Sequence, residues 1–211
     1  PSNILFRKKE KSRSISRPLC RIIYLYRKNS VIIPLKLNFV KAGEVFLPVD
    51  KSAESFKAAV ETHFGGDYLA FAEEYYRLVG EVAAQTGATI VGHFDLITKF
   101  NEGECLFSES DPRYVAAWQA AADKLIAAGL TFEVNTGAIA RGYRTCPYPA
   151  PFILKSMKDL GCTVVVTSDC HNKNYLDCHY REAVEYIASC GFDSIGIFRN
   201  GVIEEIKISV F

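Results

Sequence analysis

"DPRYVAAWQAAADKLIAAGLTFEVNT", residues 111–136, holds a whole helix and the strand that follows it. Asp111 is placed to cap the helix, and Pro112 takes its first position, where the missing N–H is no loss. Gly129 falls just past the end, where a left-handed residue closes a helix. The short apolar strand "TFEVNT" starts at once, with no room for a hairpin. Upstream, residues 49–64 read as an amphipathic helix with Phe56, Val60 and Phe64 on one face, ended by Gly65-Gly66. Asp67 then caps a longer helix running to Gly87, followed by the strand "ATIVGHFDL", residues 88–96. Downstream, the loop "GAIARGYRTCPYP" leads to a helix over about residues 150–160, placing Ile153, Met157 and Leu160 together. The strand "TVVVTSD" and a helix over about residues 177–189, with Tyr180, Val184 and Ile187 inward, come next. Two strands around Arg199-Asn200-Gly201 end the chain. Helices alternating with short apolar strands predict an α/β fold, a parallel sheet wrapped by helices as an open or distorted barrel rather than a sandwich.

The 211 residues, 49% hydrophobic and 23% charged, fit one soluble domain. No apolar run is long enough to span a bilayer, so no membrane partner is expected. The net charge of +1 hides a division: residues 1–41 carry eleven Lys or Arg and one acid, the rest fourteen bases and twenty-three acids. The basic segment, in which "CRIIYLYR" and "SVIIPLKLNF" pass for short strands, is set apart as atypical of the domain over residues 42–211. Its composition is also that of a transit peptide or a nucleic-acid-binding arm, but the favoured expectation is that it is not authentic domain sequence, and nucleic acid is not the expected partner. With Pro1 first and Met157 the only methionine, the chain reads as a fragment or processed product. Seven cysteines without a C-x-x-C pair or signal peptide predict reduced thiols in a cytoplasmic enzyme.

In α/β barrels chemistry sits where strands end. In "SDCH", residues 168–171, Asp169 and His171 are two apart at a strand end, where both can reach one point. A carboxylate with an imidazole suits zinc, iron or manganese. A D-x-H pair is by itself more often a turn aspartate beside an incidental histidine; His93 in "VGHFD", on the same rim, raises the metal reading. Asp95 is read as an acceptor for an imidazole N–H or as the residue that ends the strand. Glu133 is open between a metal ligand and a lysine partner, and Asn135 is a loop hydrogen-bonder. Arg141 and Arg144 in "ARGYR", and less strongly Lys99, are placed to grip a phosphate, against the alternative of a solvated loop. His63 is assigned to the surface and His179 is left open. No glycine pattern matches a P-loop or dinucleotide site.

Together "VGHFDLITKFNEG", "FEVNTGAIARGYRTCPYP" and "TSDCHNKNYLDCHYREAVEYIASCGFDSI" resemble the histidinol-phosphate phosphatases of the polymerase and histidinol phosphatase (PHP) superfamily, and "KAGEVFLPVDKSAESFKAAVETHFGGD" is similar to the same family. The resemblance runs from about Lys41 to Ile195. It implies a distorted (β/α)7 TIM-like barrel, partial at its N-terminus, with residues 42–211 as the C-terminal two thirds of the phosphatase domain. It also implies hydrolysis of L-histidinol phosphate to L-histidinol and phosphate in histidine biosynthesis, and two or three divalent metal ions, Zn, Mn or Fe. By position, His93, Asp169 and His171 match metal-binding, catalytic residues of the family, and Arg141 and Arg144 match a loop that holds substrate phosphate. Family members begin with an H-x-H strand end and carry further histidines, whereas residues 1–41 here contain no histidine and Asn38 stands where one is expected. The expectation is therefore a chain poorly active or inactive as a monomer. A superfamily nuclease or other phosphoesterase, and a non-catalytic remnant, are the alternatives.

Overall fold

The computed structural model describes residues 38–81, 84, 88–200 and 202–210. Apart from residues 38–41, the basic segment and the short strands expected in it lie outside the described residues. The described chain begins with an antiparallel hairpin, β1 (Phe39–Ala42) and β2 (Val45–Pro48). Helix α1 (Ala53–Phe64) follows; Ser52 and Ser55 form a reciprocal capping box at its start, and Gly65 closes it in the left-handed conformation. Asp67 caps α2 (Tyr68–Val79) by accepting from the Ala70 N–H at 2.9 Å.

The long helix expected to reach Gly87 breaks after Val79, with Gly80 and Glu81 in a turn; residues 82–83 and 85–87 of that expectation lie outside the described residues. Gly80 is its C-cap and lies close against α3 (Pro112–Ala127): a Cβ there would stand 3.3 Å from the Ala121 Cα. A side chain there would crowd α3, and glycine is a poor residue with which to continue a helix. α3 begins as its sequence requires, Asp111 capping the Arg113 N–H at 2.8 Å with Pro112 first.

β3 (Ile90–Val91), β4 (Thr131–Asn135), β5 (Val164–Thr167) and β6 (Ser194–Arg199) lie side by side in chain order, all parallel. β7 (Val202–Lys207) closes an antiparallel hairpin on β6. Asn200, at φ 49°, makes the tight turn expected there. Helices α5 (Pro151–Asp159) and α6 (Tyr180–Ser189) form the crossovers around β5. Sequential order of parallel strands puts the crossover helices on one face. Among the described residues the sheet is open, so the α/β class holds while no closed barrel is present.

The period-2 alternation of the strands divides the residues between two faces. Phe132, Val134, Val164, Val166, Ile195 and Ile197 enter the core beneath the helices. Thr131, Glu133 and Asn135 point the other way, in register with Ile90, Val165 and Thr167. Tyr76 and Tyr114 join the helices to this core with rings 5.6 Å apart and hydroxyls hydrogen-bonded at 2.9 Å. The strand expected over residues 88–96 pairs only at Ile90 and Val91, since Phe94 and Ile97 must turn inward to full burial. Leu160, expected on the inner face of its helix, is 48% exposed at the C-cap of α5. Among the described residues no helix is long and apolar enough to cross a membrane.

Candidate functional site

The polar side chains of the sheet collect at the C-terminal ends of β3, β4 and β5. After Val91 the chain turns sharply at His93, whose φ of 26° is rare outside glycine, and the Leu96 N–H closes the turn on the His93 carbonyl at 2.9 Å. The turn is held from the next strand: the His93 N–H donates to Oε2 of Glu133 at 2.8 Å. Asn135 Nδ2 donates to the same oxygen at 3.0 Å, and the Thr167 hydroxyl donates to Oε1. Glu133, 3% exposed, thus binds neutral donors from three strand ends; the lysine partner considered for it is not among its contacts. Asn135 Oδ1 in turn accepts from the Gly137 N–H at 2.9 Å, at the start of the short helix α4 (Gly137–Ala140) that delivers Arg141.

Arg141 reaches the end of β5. Its Nη2 lies 3.0 Å from Oδ2 of Asp169, and its Nη1 donates to the Asp169 carbonyl at 3.1 Å. Asp169 has a φ of 44°, and its Oδ1 lies 3.4 Å from Nε2 of His171, a side chain 75% exposed. Gly137 makes the proximity possible: a Cβ there would stand 2.9 Å from each of Arg141 Nη2, Asp169 Cβ and the Ser168 carbonyl. The sequence brought forward Arg141, Asp169 and His171 but not Gly137 or Thr167; Thr167 could have been found from its in-register alternation opposite Asn135.

Arg144 and Lys99 are held differently. The Arg144 side chain, 5% exposed, donates to the Thr98 carbonyl and hydroxyl at 2.9 and 2.6 Å and stacks on the Tyr148 ring at 5.5 Å. Its Nε lies 2.8 Å from Oε2 of Glu102, off the line of a hydrogen bond, so this contact is an ion pair only. Lys99 donates to the Asp50 carbonyl at 2.6 Å with its ammonium 4.3 Å from the Tyr143 ring centroid; burial pulls its pKa down. Asp95 is fully buried, and its Oδ2 accepts from the Ala150 N–H at 2.8 Å. Burial pushes its carboxyl up to about 7, against the pull of the Arg144 charge and the Ala150 hydrogen bond. His63 is exposed, as expected, and His179 caps α6 in a left-handed conformation with Nδ1 3.8 Å from Glu182.

Metal coordination is a demanding test of this rim. His93 Nδ1 is buried without a hydrogen-bond partner among the described residues, leaving a nitrogen that could bind. Yet among the described residues no three His, Cys, Asp or Glu side chains stand where they could share an ion. Asp169 and His171 are in contact with each other, and Asp169 is paired with Arg141. As they stand, these residues do not fit a two- or three-metal centre.

The class defined by this geometry is an α/β protein whose polar site lies on the C-terminal rim of a parallel sheet. No protein-family profile matches the chain. It is 26% identical over 163 residues to a Schizosaccharomyces pombe protein named "Probable histidinol-phosphatase", covering 74% of this chain and 50% of that one. A Deinococcus radiodurans protein of the same name is 30% identical over 132 residues, 62% of this chain and 45% of that one. The crystal structure of hisK from Listeria monocytogenes, which carries the histidinol phosphatase name, matches with a TM-score of 0.61 at 18% identity, over 69% of this chain and 55% of that one. At that identity the structural likeness speaks for the fold alone. The chain is thus similar to proteins that bear the histidinol-phosphatase name, in line with the resemblance, and spans about half the length of the curated relatives it matches.

Proposed function

We propose that this chain is part of a metal-dependent phosphatase hydrolysing L-histidinol phosphate to L-histidinol and phosphate in histidine biosynthesis, a cytoplasmic activity on a small molecule. The observation that carries the reading is the placement of His93, Arg141, Asp169 and His171 just past the ends of three adjacent parallel strands, in a chain similar to proteins that bear the histidinol-phosphatase name. The fold reading that accompanies it is an incomplete (β/α)7 barrel, in which sequential strands with helices on one face form the C-terminal arc.

In this reading Arg141 receives the substrate phosphate. It is about one third exposed and tied to the carboxylate and carbonyl of Asp169, a residue of similar exposure, contacts weak enough for a dianion to compete with. Lys99 adds positive charge beside it. Arg144 would have to leave buried partners to reach substrate, so its part is to hold the loop that carries Arg141. His93, Asp169 and His171 are at most three donors toward Zn, Mn or Fe, fewer than two ions require, and the remaining ligands would come from outside the described residues. The chain by itself would accordingly turn over weakly or not at all.

The test is metal content together with phosphate release from L-histidinol phosphate in manganese or zinc, comparing the chain with His171→Ala. Bound metal and turnover lost in the variant support the reading. Undiminished turnover in the variant, or cleavage of nucleic-acid phosphodiesters in place of histidinol phosphate, overturns it. A second reading, a non-catalytic remnant, is favoured by the dispersal of the three candidate ligands; no metal and no turnover would support it.

A further inference from the structure

Glu133 is absorbed by none of the roles above, yet its carboxylate ties together three strand ends. Its two oxygens take three donors, and each leads to a different part of the site: the His93 N–H on the β3 end, Asn135 Nδ2 on β4 and the Thr167 hydroxyl on β5. From Asn135 the chain of bonds continues to the Gly137 N–H and so to the helix bearing Arg141. Thr167 lies two residues before Asp169. A carboxylate buried to 3% exposure is tolerated when its lone pairs are filled, and a short polar side chain could not span three strands.

We propose that Glu133 is a positioning residue: it fixes the strained backbone of His93 and sets the spacing between His93, Arg141 and Asp169, touching neither substrate nor metal. A non-glycine residue at φ 26° persists only where its surroundings over-determine it, and the Glu133 bond to the His93 N–H is a charge-assisted restraint of that kind. The inference rests on the proposed site, but its mechanical part, the restraint on His93, stands whether or not the chain is a phosphatase.

The experiment compares Glu133→Gln, Glu133→Ala and Thr167→Val with the parent, reading amide hydrogen exchange at His93 and at Val166 along with the thermal midpoint. Gln can keep an acceptor toward His93 and Asn135 while its amide donates to the Thr167 hydroxyl, so it should retain most of the restraint. Loss of a charged hydrogen bond should speed His93 exchange roughly 10- to 100-fold in Glu133→Ala, with Val166 changed far less. Thr167→Val should fall between. Equal exchange at His93 in parent and Glu133→Ala overturns the proposal. So does acceleration of both amides by the same factor, or failure of all three variants to fold, since either makes Glu133 a general support of the sheet. Where phosphate release is measurable, kcat should fall more than KM rises in Glu133→Ala and recover in Glu133→Gln. Absence of turnover in the parent would count against the phosphatase reading while leaving the exchange result to decide this one.

Discussion

Asp95→Asn should reverse part of the pH dependence of folding. The carboxyl is completely buried, accepts one backbone hydrogen bond through Oδ2, and has no partner at Oδ1 among the described residues. Burial sets its folded pKa at about 7, against an ordinary value of 3.8. A raised folded pKa means that the native state holds the proton more tightly than the unfolded one. The associated stability is fully present below about pH 4 and is lost as pH rises through about 7. Three units correspond to about 4 kcal/mol as an upper bound, a large part of the ~5–15 kcal/mol by which domains are stable. Asparagine keeps an acceptor for the Ala150 N–H and cannot ionise. In urea titrations with chelator present, the parent should lose stability relative to Asp95→Asn between pH 5 and 8 by about 2–4 kcal/mol. Parallel profiles for the two proteins would refute both the burial argument and its sign.

The two loop arginines should separate by stability. Arg144→Ala removes the charged donor from the buried Thr98 carbonyl and hydroxyl and the compensating charge near buried Asp95 and should cost about 3 kcal/mol or more, whereas Arg141→Ala, with its exposed pair, should cost under about 1 kcal/mol and act instead by raising KM for a phosphate ester; denaturation curves beside phosphate-release kinetics check both. Gly137→Ala would force a methyl into the 2.9 Å cradle formed by Arg141, Asp169 and the Ser168 carbonyl. It should destabilise by about 1–3 kcal/mol and weaken phosphate-ester binding, read by calorimetry.

The elements that local chemistry dictates were legible in advance. The Asp111–Pro112 start and Gly129 end of α3, the Asp67 cap and the β6–β7 turn at Asn200 depend on neighbours a few residues away, and each stands where its sequence put it. Three dispersed segments were also enough to carry the resemblance to histidinol-phosphatases, and in this chain His93, Arg141 and Asp169 stand just past the strand ends of an alternating α/β pattern. The interruption of α2 at Gly80, the abrupt turn at His93, the burial of Arg144 and the hub at Glu133 could not be read that way. Each is decided by atoms 34 to 46 positions distant: Ala121 beneath Gly80, Glu133 beneath His93, Thr98 beneath Arg144, Thr167 beside Glu133. Local propensity determines which segments become helix or strand, since caps and periodicity act within a turn or two. Which polar groups end up buried together depends on how those segments pack, and there an unmet hydrogen bond costs more than any local preference can supply.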